Sequence, residues 1–232
     1  SPTPADGSNQ SNPDIYVNVS SSDANDHYSF VDFDNSLVGW WTMDDVDGSG
    51  NPLDMSSYGN NATIQGSLTI NQTAKFGNAT QLPGDTSNYL RVPTSDELVV
   101  NNSKGFSISI WFNDKSPNGQ TNNRSGLLKK TGEYGMRIWN NDFLFVYYNN
   151  DTNVQGITLL EPIQRNAWVH AVSTLEVSGT SYTHRLYING TLTDTLTKEG
   201  MVLGATGNSL YIGKYENYDP ISSIDEVMIF NL

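Results

Sequence analysis

Between Phe106 and Phe112 the chain alternates without a break, with Phe106, Ile108, Ile110 and Phe112 on one side and Ser107, Ser109 and Trp111 on the other. Successive side chains of a strand point to opposite faces, so this segment is a strand with one apolar face, which is stable only against a second sheet. Other segments repeat the theme. Leu186 to Leu192 reads as a hairpin, because Asn189-Gly190 supplies the positive φ angles of a two-residue type I′ turn. Met136 to Tyr147 reads as a second hairpin turning at Asn140 and Asn141, and Trp168–Leu175 and Tyr182–Ile188 read as long paired strands. From Leu37 onward about a dozen strands are expected. The composition agrees, being 36% apolar and only 16% charged, with no long helix-forming block. The fold class implied is all-β, a two-sheet antiparallel sandwich, and 232 residues fit one such domain.

Ahead of the sandwich, residues 1–13 are a Pro/Gly/Ser/Asn segment that cannot bury apolar surface and reads as a linker. Ile15, Val17 and Val19 then alternate with polar-compatible residues, predicting a strand over about 14–20. We therefore expect an extended arm over 1–36 and the sandwich over 37–232. The arm strand is expected as an added edge strand, as the end of a truncated upstream domain, or as a strand donated to the sheet of a neighbouring copy.

Charge excludes some partners. A formal net charge of −13 argues against nucleic acid, which demands a basic surface, and against an anionic membrane. No apolar run approaches the length that spans a bilayer, so no membrane insertion is expected. There is no cysteine, hence neither disulfide framework nor thiol chemistry. Nine Asn-x-Ser/Thr sequons stand at Asn9, Asn18, Asn61, Asn71, Asn78, Asn101, Asn123, Asn150 and Asn189. With the acidity, they lean towards an extracellular or cell-surface glycoprotein.

The stretch from Leu37 to Gly66 carries the most chemistry. A strand with adjacent Trp40 and Trp41 runs into a loop of Asp, Asn and Ser hinged by Gly48, Gly50 and Gly59. Such a supply of oxygens, with glycines that let carbonyls turn inward, suits Ca2+, which takes six to eight oxygen ligands. A solvated loop between two strands is the alternative.

The tryptophan strand ending in an acid, followed by Asp54-Met55-Ser56-Ser57-Tyr58-Gly59-Asn60-Asn61, resembles the laminin-G-like branch of the concanavalin A-like jelly rolls. Further marks follow in order: Phe76-Gly77-Asn78-Ala79 with Leu82-Pro83-Gly84-Asp85, then Phe106 to Phe112, then Trp168-Val169-His170-Ala171-Val172. Leu186 to Gly190, Leu210-Tyr211-Ile212-Gly213 and the closing Ile224-Asp225-Glu226-Val227 complete them. The resemblance covers 37–232, while the segment from Val17 to Asp34 is similar to linkers of archaeal surface proteins.

The resemblance implies first and last strands that are neighbours, and a structural calcium held by Asp44 and Asp225 with Asn61 or carbonyls of the Asn60 loop. Asp45, Asp47 and Asp54 are possible substitutes, and a metal-free Asp bonded to local amides is the alternative. It also implies what a hydrolase would need. The fold's glycosidases carry paired carboxylates as Glu-x-Asp-x-x-Glu, and none of the seven glutamates forms that pattern. Glu226 follows Asp225, but consecutive strand residues are expected on opposite faces. His27, His170 and His184 are isolated, with His170 expected as a packed sheet residue. The reading is therefore non-catalytic: a lectin-like adhesion module for carbohydrate or another surface ligand. The alternative is a subunit that assembles with neighbouring copies through the arm strand. Two clusters combine aromatic planes with amide and carboxylate groups for sugar hydroxyls. One includes Tyr148, Asn150 and Asp151, the other Tyr215, Asn217 and Tyr218.

Overall fold

The computed structural model describes residues 31–32, 34–100, 104–115, 124–139, 143–150, 153–214 and 221–232; of 71–73, 124, 150, 153–157 and 221 it describes the backbone only. The chain divides into two units, Ser1–Phe33 and Asp34–Leu232, and every described strand belongs to the second. The expected arm strand over 14–20 and the turn at Asn140 and Asn141 lie outside the described residues.

Fifteen strands and one 3-10 turn (Asp96–Leu98) occur among the described residues. The first five are β1 (Leu37–Trp41), β2 (Thr63–Gln65), β3 (Thr69–Thr73), β4 (Asn78–Pro83) and β5 (Tyr89–Val92). Then come β6 (Phe106–Asp114), β7 (Arg124–Lys130), β8 (Tyr134–Trp139), β9 (Phe143–Asn150) and β10 (Asn153–Pro162). The last are β11 (Val169–Ser178), β12 (Ser181–Ile188), β13 (Thr191–Glu199), β14 (Leu210–Ile212) and β15 (Ile221–Asn231). Every pairing is antiparallel, in two sheets. One has eight strands in the order β13-β12-β11-β6-β15-β4-β3, with β1 also on β15. The other has seven, β10-β9-β8-β7-β14-β5-β2. This is the expected two-sheet jelly-roll sandwich.

Alternation makes the core. Phe106, Ile108, Ile110 and Phe112 are all fully buried, as the pattern requires. They meet Tyr134, Met136, Leu144 and Val146 from the opposing sheet in one cluster. The Phe106 ring packs 4.8 Å from that of Tyr134, whose hydroxyl donates to the Leu98 carbonyl at 2.9 Å. The β12–β13 hairpin turns as expected, with φ of 50° at Asn189 and 80° at Gly190 between paired Ile188 and Thr191.

A fully buried ion pair sits at one end. Lys130 closes β7, and its Nζ donates to Glu133 Oε1 and to the Thr206 carbonyl. Glu133 also accepts from the Thr206 amide and hydroxyl, at 2.9 and 2.8 Å, and from the Val100 amide at 3.1 Å. One carboxylate thus ties the β7–β8 turn to two irregular segments that lack a ladder of their own. Breaking such a pair strands a buried charge. Glu133→Ala should therefore lower unfolding free energy by about 3–5 kcal/mol, read as a reduced midpoint in urea at unchanged slope.

Candidate functional site

β15 changes partner halfway along. Its first residues, Ile221–Ile224, pair with β4, and Val227–Phe230 pair with β1, so the two short strands lie end to end along one long one. At the seam β15 carries a bulge between Asp225 and Met228, with Glu226 at φ 48°. A bulge inserts a residue and breaks the in–out alternation. Ile224 and Val227 remain in the core, while Asp225 pairs with outward-facing Trp111 and Glu226 reaches outward to Trp40. The expectation that Asp225 and Glu226 face opposite ways fails here, because the bulge turns both carboxylates away from the core.

Around them gather the end of β1 and the start of β4. Asp225 Oδ2 accepts the Lys75 and Phe76 amides at 3.1 and 2.9 Å, and Glu226 Oε2 accepts Trp40 Nε1 at 2.7 Å. Asp44 Oδ1 accepts the Asn78 amide at 2.6 Å, and a Cβ on Gly77 would collide with that carboxylate. Asp225 is fully buried, and its Oδ1 has no hydrogen-bond partner among the described residues. Burial, with the Glu226 charge beside it, pushes its carboxyl up to about 7. Burial likewise raises Glu226, reinforced by Asp44. Of the expected calcium ligands, the structure thus brings Asp44 and Asp225 to one turn. It sets Asn61 elsewhere, with its Oδ1 accepting the Asp54 amide at 2.9 Å. Asp54 is itself saturated, accepting from the amides of Trp40, Ser56 and Asn60 and from the Ser56 hydroxyl, so it staples its own loop. Asp47 caps its own turn through Ser49 and Asn51, which lowers its pKa. Among the described residues no three His, Asp or Glu side chains gather closely enough to hold a metal by themselves.

The expected sugar clusters fare differently. Asp151, Tyr215, Asn217 and Tyr218 lie outside the described residues, as does the side chain of Asn150. Tyr148 is corrected: it points into the core, fully buried, with its hydroxyl 2.8 Å from Ser173 Oγ. Ser173 Oγ in turn lies 2.9 Å from Nε2 of buried His184. Of the sequons, Asn61 and Asn189 are exposed and Asn78 is half-buried, while Asn71 has only its backbone described. Asn9, Asn18, Asn101 and Asn123 lie outside.

A different aromatic group stands on the outer face of the seven-stranded sheet, one that the sequence pattern alone did not single out. In β8, Met136 and Ile138 face the core, so Trp139 and Arg137 face out; in β9, Leu144 and Val146 face in, so Phe145 and Tyr147 face out. Trp139 and Phe145 stack at 5.9 Å and 29°, and Phe145 lies 5.9 Å from Tyr147. The Tyr147 ring lies across Gly135, where a Cβ would come within 2.6 Å of its hydroxyl. The Arg137 guanidinium is 4.1 Å from the Phe145 ring and 4.6 Å from that of Trp139. Little in the sequence signals it, since Phe143 to Tyr148 are apolar or aromatic at every position and the pairing with β8 decides which rings face out. On the other sheet, Trp111 is already covered, by stacked His170 at 4.7 Å and by Lys75 Nζ at 4.6 Å. His170 is thus the packed sheet residue expected.

Two antiparallel sheets, with the last strand lying between the first and the middle of the chain, define a concanavalin A-like sandwich. The family model described as the concanavalin A-like lectin/glucanases superfamily (laminin G 3) matches residues 84–232, and the chain belongs to that family. No curated protein matches it. Among solved structures, the binding domain of Paraclostridial Mosquitocidal Protein 1 superposes with a TM-score of 0.67 at 15% identity, over 85% of this chain and 49% of that one. The receptor binding domain of botulinum neurotoxin D gives 0.64 at 16% identity, again over 85% and 49%. Botulinum neurotoxin type C, whose cell entry depends on two ganglioside molecules, gives 0.63 at 20% identity over 84% and 48%. The chain thus spans about half the length of these domains and shares their fold.

The buried His184 sets an acid limit on stability. Burial pushes its pKa down to about 3 from the usual 6.5, so between those values the unfolded chain takes a proton that the folded chain refuses. Its contribution is full above pH 6.5 and is lost as pH falls towards 3, by about 2 kcal/mol between pH 6.5 and pH 5. In chemical denaturation at both pH values, His184→Gln should lose correspondingly less stability than wild type on acidification.

Proposed function

We propose that this chain is a non-catalytic, lectin-like binding module that works outside the cell and takes glycan as its ligand. The observation that carries the reading is the group of Trp139, Phe145 and Tyr147 on the outer face of the seven-stranded sheet. Trp139 and Phe145 are half-buried and Tyr147 is buried, so the planes offered to a pyranose are those of the first two rings, with Tyr147 backing them. Membership of a lectin-containing superfamily and likeness in fold to toxin binding domains support it. The two outward carboxylates at the bulge do not compete as a hydrolase pair, since Asp225 is fully buried and out of reach of a substrate.

The seam at the bulge suits a calcium ion. The unpartnered, fully buried Oδ1 of Asp225 lacks a positive partner, and the neighbouring Asp44 and Glu226 add negative charge. Asp225 and Asp44 would hold the ion, with main-chain oxygens filling the shell that calcium demands. When bound, it neutralises these carboxylates and clamps β1, β4 and β15 at their common junction; its part is stability. Sugars on Asn61 and Asn189, both exposed, fit an extracellular setting.

A glycan-array screen of residues 1–232, in millimolar calcium and again in chelator, tests the module. We expect glycan binding in calcium; no binding in either condition would overturn the reading. Calcium at a hundredfold over its Kd should raise Tm by roughly 5–10 °C. Asp225→Asn, which keeps the shape and removes the charge, should abolish that rise while the protein still melts cooperatively. A calcium response that survives in Asp225→Asn would place the ion elsewhere.

A further inference from the structure

β1 is paired on one side only. It lies on β15, with Trp40 opposite Met228, and no described strand takes its other edge. Residues of an antiparallel strand send their N–H and C=O groups alternately to one neighbour and to the other. The bonds of Trp40 place it in the set that points away from β15. An open edge of this kind is a template for another chain, and proteins blunt it with charge, proline, a bulge or a covering segment. Beyond a bulge between Leu37 and Gly39, β1 carries no such device, since Leu37-Val38-Gly39-Trp40-Trp41 has neither charge nor proline.

The covering segment is the loop from Asp54 to Asn60. The Trp40 amide donates to Asp54 Oδ1 at 2.8 Å, and the Trp40 carbonyl accepts the Met55 amide at 2.8 Å. The Val38 carbonyl accepts Asn60 Nδ2 at 2.7 Å. Two of the three partners are side chains, so the loop makes a strand's bonds without being a strand. Its own bonds hold it in place. Asp54 Oδ2 accepts the Asn60 amide at 2.7 Å, and the Asn60 carbonyl accepts Trp41 Nε1 at 2.9 Å. Asp54 and Asn60 are both buried, although they stand in a loop. We infer that this loop is a guard that keeps the chain from pairing with a second copy of itself through β1. The edge beneath it is self-complementary. Trp40 turns one donor and one acceptor to the same side, and a second copy related by a two-fold axis at Trp40 exchanges both. The same axis sets the two Trp40 rings side by side, an aromatic pair across the new ladder. This device is independent of the glycan reading.

Sedimentation velocity of residues 1–232 over a wide concentration range tests the guard. We expect wild type to stay monomeric and Asp54→Ala to rise towards twice the monomer mass. Added salt should strengthen the association, because each copy carries a net charge of −13. In Asp54→Ala the Trp40 amide should exchange rapidly with deuterium when dilute and slowly once the dimer forms. Where Asp54→Ala does not melt cooperatively, Asn60→Ala, which uncovers the Val38 carbonyl, carries the same test. Glu133→Ala, destabilised at the β7–β8 turn rather than at β1, should stay monomeric. Adding Val17→Pro, which breaks the expected arm strand, should leave the dimer intact. Guard variants that fold and stay monomeric at every concentration would overturn the inference, as would wild type that associates equally. Association shared by Glu133→Ala would trace it to partial unfolding, and association lost with Val17→Pro would give the edge to an arm strand; either result overturns the guard.

Discussion

β15 is the constraint on which the sandwich depends. It is eleven residues long and pairs with β6 along one edge, and with β4 and then β1 along the other. The eight-stranded sheet therefore cannot be completed until the last residues of the chain are in place. Contacts of such long sequence separation make folding slow, because loop closure must precede the ladder that rewards it. The price of joining two short strands end to end along a long one is a seam. The bulge at Glu226, the positive φ there and the outward turn of Asp225 are how the backbone absorbs it.

The seam concentrates negative charge in a buried place. Asp225 accepts two amides through one oxygen and nothing described through the other, with Glu226 and Asp44 close by. An arrangement of this kind is costly as ions alone, since burial disfavours the charged form. Two amide donors and one indole N–H offset part of that cost. The proposed cation supplies the rest, and it does so where β1, β4 and β15 meet. The junction lies in the eight-stranded sheet, and the group of Trp139, Phe145 and Tyr147 lies on the outer face of the other.

Much of the fold was legible because a period of two is a local property. Phe106 to Phe112 and the Asn189-Gly190 turn declare themselves within a few residues, and the structure follows them. Where local pattern is silent, the reading stops. In Tyr147-Tyr148 either tyrosine can be the inward one, and only pairing opposite core-facing Tyr134 puts Tyr148 inside. The bulge breaks alternation at Glu226 without a glycine to announce it. Asn61 carries the right oxygen for a metal shell, but a neighbouring amide, that of Asp54, claims it first. The Lys130–Glu133–Thr206 network joins residues more than seventy positions apart, so no spacing rule could have found it.

The central claim, a glycan-binding surface on the outer face of the seven-stranded sheet, is tested most directly by amide chemical-shift mapping of the labelled protein during titration with a glycan that binds on the array. The account predicts saturable shifts centred on β8 and β9, with β11 and β12 unmoved. Shifts centred on the eight-stranded sheet would contradict it.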